Sequence, residues 1–183
     1  MKSDQERVKK AAKEVGTAVK QAESGNLDTA LKRIARKGHS AKEVLGLTDA
    51  MLEGIYGQAY RLYNTGKFQE ANQLFRLLIM IQPTEPKFTM GLAACFHMEK
   101  QYKVAVDMYT IVTVIDPHNP IPYYHASDCY MQMGDPASAI IMLEMAVKRA
   151  GERPEFKTLK DRATLTLDGL KKELIKNVSK APA

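Results

Sequence analysis

A set of residue types recurs in this sequence at intervals of 34 residues, and no other feature restricts the possible folds as strongly. Alanine stands at one position of the period, and a large side chain follows each alanine four residues later. The alanines are Ala71, Ala105 and Ala139, and the large residues are Phe75, Tyr109 and Leu143. Because residues i and i+4 share one helix face, this pattern lets two helices approach closely and fills the space between them. The sequence therefore predicts stacked helical hairpins.

Residues that end helices recur with the same period. Gly66 and Gly134 follow the predicted first helices of two hairpins, where a left-handed C-cap favours glycine. Pro83 and Pro117 follow second helices, which a proline cannot continue. Lys100 takes the glycine position of the middle hairpin, so that turn is predicted to be strained. Taken together, these positions resemble the tetratricopeptide repeat.

The predicted fold is all-α, an α-solenoid of three tandem repeats over residues 52–85, 86–119 and 120–153. Repeats of this kind need a cover at each end. Residues 1–51 supply N-terminal helices, a possible dimerisation element, and residues 154–183 supply a capping helix and a short tail. The capping helix is indicated by apolar residues at helical spacing, namely Phe156, Leu159, Ala163, Leu167, Leu170 and Leu174. An ordinary helical bundle with chance spacing is the alternative.

Composition narrows the function classes. Apolar residues make up 45% of the chain and charged residues 26%, which is typical of a globular protein. No stretch approaches the roughly 18 apolar residues of a membrane span, and the N-terminus has no apolar signal core. We therefore expect a soluble protein that stays in the compartment where it is made. Cys95 and Cys129 share one repeat register, which favours two buried thiols over a disulfide or a metal pair.

The sequence offers little support for enzyme activity or for nucleic-acid binding. The four histidines, His39, His97, His118 and His125, are scattered without a metal-binding or catalytic spacing, so we expect no enzyme activity, metal or cofactor. The net charge of +6 belongs to the ends of the chain, since residues 49–154 carry 9 Lys and Arg against 11 Asp and Glu. The basic residues near the N-terminus lack the aromatic platform of a nucleic-acid site. No nucleic-acid partner and no membrane insertion are expected.

The first helix of each hairpin faces the concave side of a solenoid, so its side chains outside the packed face are candidate peptide contacts. These candidates are Tyr56, Tyr60, Tyr63, Lys87, Met90, Ala94, His97, Met98, Tyr124, Asp128 and Met131. Tyrosine and methionine suit an adaptable surface for an extended hydrophobic segment. The tyrosines could instead be core residues, but the repeat assigns Ile55, Ala59 and Leu62 to that role. A clamp for a terminal carboxylate is disfavoured because only Lys87 suits it.

Three runs of sequence narrow the resemblance further. They are Ile55 to Phe68, Met90 to Cys95 and Tyr124 to Cys129, and the stretch from Pro154 to Lys157 agrees with them. Over residues 40–170 the chain resembles the class II chaperones of bacterial type III secretion. The resemblance implies a chaperone of the bacterial cytoplasm that holds a Pro-x-Leu-x-x-Pro-like segment of secreted translocator proteins, without nucleotide hydrolysis.

The family commonly dimerises through N-terminal helices, which implies a possible homodimer. The first 39 residues of this chain depart from the family pattern, because they are longer and more basic. A general tetratricopeptide scaffold that joins folded cytosolic proteins is the alternative function.

Overall fold

The computed structural model describes residues 41–178, and every regular element within that range is helical. The elements are α1 (Ala41–Val44), α2 (Asp49–Asn64), α3 (Phe68–Ile81), α4 (Pro86–Met98), α5 (Tyr102–Ile115), α6 (Ile121–Gln132), α7 (Pro136–Ala150), a 3-10 turn (Pro154–Phe156) and α8 (Lys157–Val178). The all-helical fold class is confirmed. The calls on residues 1–40, including most of the dimerisation element, and on the tail after residue 178 lie outside the described residues.

Side-chain caps begin two of these helices. The Thr48 hydroxyl accepts a hydrogen bond from the Met51 amide at 3.2 Å, as the sequence predicts, and this satisfies one free amide of α2. Asp135 accepts from the Ser138 amide at 3.0 Å at the start of α7, and hydrogen bonds from Ser138 hold the pKa of this carboxyl below its usual value. The caps determine the residue at which each of these two helices begins.

The turns after α2, α4 and α6 share one backbone conformation. Gly66 and Gly134 adopt positive φ angles of 77° and 73°, and Lys100 adopts 61°. After each of these residues the next amide donates to a carbonyl five residues earlier, with the same 2.9 Å distance in all three turns. This is the left-handed helix ending that glycine favours. The prediction of a strained turn at Lys100 is confirmed, because a lysine here bears the cost of its β-carbon.

The described residues form two compact units, and the boundary in the chain lies between Cys95 and Phe96. We call residues 41–95 unit 1 and residues 96–178 unit 2. The predicted small and large repeat positions are buried in both, Ala71 and Phe75 in unit 1 and the other four in unit 2. The sequence pattern therefore identified the packed faces correctly.

Both cysteines are buried, as predicted. Burial raises the pKa of the Cys129 thiol to about 12, since a thiolate would lose its hydration there. Cys95 and Cys129 act as small apolar core residues.

The last helix covers the last hairpin of unit 2. Ala163 and Leu167 of α8 pack against Leu143 of α7, which confirms the predicted capping helix. Arg153, in the loop before α8, donates to the carbonyl oxygens of His118 at 2.7 Å and Arg149 at 2.6 Å. Its guanidinium also lies 4.4 Å from the centre of the Phe156 ring. These contacts fix the path of the chain into α8.

Candidate functional site

Unit 1 contains an open pocket of about 180 Å³ between α2, α3 and α4. Its lining residues are Tyr56, Tyr60, Tyr63, Phe75, Lys87, Met90, Gly91 and Ala94. Six of these eight belong to the set named from the sequence, and Phe75 and Gly91 are additions. The structure thus brings the unit 1 candidates together around one cavity.

The tyrosines of α2 form an aromatic wall of this pocket. The Tyr56 ring lies 6.4 Å from the Tyr60 ring at an interplanar angle of 21°, and 6.1 Å from the Phe75 ring in an edge-on arrangement. Tyr60 stands at the mouth with 52% of its surface exposed. Burial raises the pKa of Tyr56 and of Tyr63, so both phenols are neutral hydrogen-bond donors at physiological pH. The wall offers apolar surface with polar ends.

Gly91, in the middle of α4, makes room for the Phe75 ring, and both residues line the pocket. A β-carbon on Gly91 would lie less than 3.0 Å from three atoms of the Phe75 ring. The ring therefore occupies the space that any other residue at position 91 would need. In the sequence Gly91 is noticeable only as part of the run Met90 to Cys95, which resembles the chaperone family. A glycine inside a helix has no side chain whose spacing could mark it as a pocket residue. Its position on the pocket wall appears only with the ring beside it.

One cation lies at the rim of the unit 1 pocket. Lys87 of α4 pairs with the Glu53 carboxylate of α2, one repeat period away in the chain. The lysine ammonium also lies 5.0 Å from the centre of the Tyr56 ring. The hydrogen bond to Glu53 raises the pKa of Lys87, which keeps the side chain charged. An opposite-charge pair at one repeat period is the signal that could have indicated this bond.

Unit 2 brings His97 and Asp128 of the predicted set together. The His97 Nε2 lies 2.9 Å from Asp128 Oδ2, and His97 Nδ1 lies 3.4 Å from the Tyr109 hydroxyl. His97 thus bridges the end of α4 to α5 and α6 within unit 2. The Asp128 side chain is 42% exposed, which leaves its carboxylate accessible to a ligand.

The His125 ring completes this cluster, and it was not among the contact residues predicted from the sequence. It stacks on Tyr109 at 5.6 Å and 18°, and it lies 6.3 Å from the His97 ring. Burial, and then the neighbouring His97, lower the pKa of His125, so the imidazole is neutral near pH 7. His125 stands one repeat period after Gly91, which is the signal that could have identified it.

The remaining candidates of unit 2 are not joined to this cluster in the same way. Tyr124 is half-buried, packs against the core formed by Leu143, Ala163 and Leu167, and touches the His125 ring at 5.9 Å. Met131 is half-buried on α6, and Met98 is 51% exposed at the end of α4. Tyr124 therefore joins the ring cluster to the core beneath the last helix.

Residues 41–178 contain neither a cluster of metal ligands nor a membrane-spanning helix. Within that range no group of three or more histidine, cysteine, aspartate or glutamate side chains could hold a metal ion. In the same range, no helix is both long enough and apolar enough to cross a membrane.

Comparison with known proteins agrees with the repeat pattern. Two family models match the chain, and both describe a tetratricopeptide repeat. One matches residues 52–84 and the other residues 96–163. The repeat assignment is therefore confirmed on both sides of the boundary between the units.

The relatives of this chain include chaperones, one of which serves type III secretion. The chaperone protein SicA of Salmonella typhimurium is 32% identical over 135 residues, which cover 74% of this chain and 79% of SicA. The Yersinia enterocolitica type III secretion chaperone SycD was solved with a peptide of the translocator YopD and, separately, as an alternative dimer. In both structures the SycD sequence is 31% identical to this chain, and the TM-score is 0.67. The match covers 69% of this chain and 96% of SycD.

Proposed function

This chain belongs to the class II translocator chaperones of type III secretion, and we propose that it binds an extended hydrophobic segment of a secreted translocator protein. The observation that carries the proposal is the aromatic pocket of unit 1, which six of the predicted contact residues line. A pocket with neutral tyrosines and a thioether accepts an uncharged apolar side chain of the segment.

The number of apolar side chains that the segment buries determines the expected strength of binding. Burying one aliphatic side chain contributes about 1.5–3 kcal/mol before the cost of ordering the segment. Two or three such side chains contribute about 3–9 kcal/mol, and the upper end of that range is comparable with the roughly 8 kcal/mol of micromolar affinity. The side chains that we propose as further contacts of the segment in unit 2 are His97, Met98, Tyr124, Asp128 and Met131.

The proposed mechanism is passive shielding. A translocator segment that occupies the pocket cannot associate with membranes or with another translocator, so the cargo stays competent for export. We place this activity in the bacterial cytoplasm and expect no catalysis or cofactor. The named relatives are chaperones, which favours this function over a general scaffold that joins folded proteins. We also propose a homodimer, which SycD forms in one of its structures.

Truncating two of the pocket tyrosines tests the proposal. Candidate translocators are co-expressed with the wild type or with a Tyr60→Ala, Tyr63→Ala double variant, and the soluble cargo is quantified. Loss of two ring contacts should weaken binding by about tenfold or more, because truncated aromatic contacts at interfaces often cost over 1 kcal/mol each. The soluble cargo should fall accordingly.

The matched control keeps the rings and removes only the hydroxyl groups. Tyr60→Phe, Tyr63→Phe should retain most of the soluble cargo, since the apolar surface is unchanged. Circular dichroism and thermal unfolding establish that all variants are folded. A folded double alanine variant that keeps as much cargo soluble as the wild type would show that the pocket does not bind the segment.

A further inference from the structure

The pocket of unit 1 contains one charged side chain in an otherwise uncharged lining, and that charge is held in a defined place. Of the eight lining residues, Lys87 alone is ionised. Its ammonium is fixed from one side by the Glu53 carboxylate and rests over the rings of Tyr56 at 5.0 Å and Phe88 at 5.5 Å. Ion pairing and cation–π attraction both restrict a side chain that is otherwise flexible.

The ammonium keeps donors available in this position. A lysine ammonium has three N–H donors, and the hydrogen bond to Glu53 uses one of them. The Lys87 side chain is 34% exposed, so the ammonium is still accessible from solvent. A ligand that enters the pocket would therefore meet a charged donor whose position is already set.

An extended segment needs such a donor. Outside a β-sheet its main-chain carbonyl groups have no partners, and covering one of them without a hydrogen bond costs free energy. The aromatic wall supplies phenol hydroxyls, which are neutral donors, and the thioether of Met90 supplies none. A hydrogen bond from an ionised donor is about twice as strong as one between neutral groups.

We propose that Lys87 donates a hydrogen bond to an oxygen of the bound segment next to the apolar side chain in the pocket. This inference rests on the proposed function and deepens it, because it adds a polar requirement to an apolar site. The oxygen is either a main-chain carbonyl or the carboxylate of a neighbouring acidic residue. Glu53 is a positioning residue, which holds the ammonium over the rings and does not itself touch the segment.

Substitutions at the ion pair test the inference by peptide affinity. Two blocked synthetic peptides serve as probes, one with the core Pro-Ser-Leu-Ser-Ser-Pro and one with aspartate in place of the serine before leucine. Lys87→Met keeps the aliphatic stem and should bind both peptides about tenfold more weakly, which is the expected loss of one hydrogen bond to a charged group. Lys87→Arg retains charged donors and should restore most of the affinity.

Two further variants separate the role of each partner. Glu53→Gln keeps an acceptor for the lysine and should lose less affinity than Lys87→Met. Lys67→Met removes a cation that lies at the start of α3 and outside the pocket, and it should bind like the wild type. The two methionine variants change the net charge equally, so their difference isolates the position of the charge.

The source of the oxygen is read from the two peptides. A main-chain carbonyl predicts the same fold loss for both peptides and little dependence on salt. A carboxylate predicts a larger loss for the aspartate peptide, and this excess should shrink at high ionic strength. Either result supports a donor role for Lys87.

Different outcomes overturn the inference and the proposed function. Wild-type affinity in Lys87→Met, together with weak binding by Tyr60→Ala, Tyr63→Ala, would overturn the inference and leave the proposed function standing. A loss that Lys87→Arg does not restore would also overturn it, because the loss would not be that of a donor. If wild-type protein bound neither peptide, the proposed function would fail as well.

Discussion

Unit 1 and unit 2 use the same two repeat positions in opposite ways. Unit 1 has Phe75 packed over Gly91, where the missing side chain leaves room for the ring itself. One period later, unit 2 has Tyr109 stacked on His125 at 5.6 Å, where an imidazole occupies the corresponding space. The packed ring is therefore retained in both units, while the residue that faces it differs: glycine in unit 1 and histidine in unit 2.

The difference extends to the polar groups around these positions. The unit 1 pocket is mostly apolar and is uncharged apart from Lys87, which pairs with Glu53. The unit 2 cluster contains two imidazoles and the carboxylate of Asp128. One repeat architecture thus supplies an apolar cavity in one place and a polar, ionisable surface in another.

Adding a methyl group at Gly91 should break the comparison most strongly. In Gly91→Ala the new β-carbon displaces the Phe75 ring, and such overpacking costs about 1–3 kcal/mol against a helix-propensity gain of about 1 kcal/mol. We expect a net loss of up to about 2 kcal/mol in the free energy of unfolding and weaker peptide binding. Urea denaturation and peptide titration measure the two effects.

The control for Gly91 stands at the same register one period earlier. A β-carbon at Gly57 meets no atom of the described residues within 4 Å. Gly57→Ala should therefore stabilise α2 by about 1 kcal/mol through helix propensity alone. If both alanine substitutions changed stability in the same direction, the Phe75 ring would not be what requires glycine at position 91.

The turns provide a second and smaller contrast. A left-handed conformation costs Lys100 about 1–2 kcal/mol, and the extra freedom of glycine in the unfolded chain offsets part of any gain. Lys100→Gly should raise the free energy of unfolding by about 0.5–1 kcal/mol. The reverse change, Gly134→Ala, should lower it by about 1 kcal/mol. Equal stability of all three proteins in urea denaturation would contradict the strain assigned to Lys100.

The smallest expected effect is a dependence on pH that belongs to unit 2. Burial lowers the pKa of His125 in the folded protein, and Asp128 opposes this shift only in part. Below about pH 6.5 the unfolded chain binds the proton more readily, so the stability due to neutral His125 is present above that pH and is lost as pH falls.

Urea denaturation at pH 7.5 and 5.5 measures this effect by comparison with His125→Gln, which cannot titrate. The wild type should lose more stability than the variant between the two values. An equal loss would place the titration elsewhere. Hydrogen exchange should show lower protection in α6 at the acidic pH, with α2 changing less.

The repeat positions were predictable because their residue types are determined by packing. Ala71 and Phe75 recur at a fixed period with fixed sizes, and they are buried as the pattern requires. Lys100 was predictable for the same reason, since it interrupts a series of glycines whose backbone role is known. The resemblance to a known family agreed with this reading and added the class of cargo.

The site was less predictable because it depends on a residue that has no side chain. Tyr56, Tyr60 and Met90 were found by their chemistry and by their helix face. Gly91 contributes to the pocket by lacking a side chain, which a search for chemical groups does not register. His125 was dismissed as one of several scattered histidines, since its contact with Tyr109 joins elements that are distant in the sequence.

Gly91 also has a consequence for engineering. Residues 57, 91 and 125 share one register, and in this chain they are glycine, glycine and histidine. Because the large ring of unit 2 stacks on His125, a designer could change the residue at this register together with the ring that faces it, while leaving the alanines that specify the fold unchanged. Repeat proteins with separately adjustable cavities could then be assembled for cargo segments with different spacings of apolar side chains.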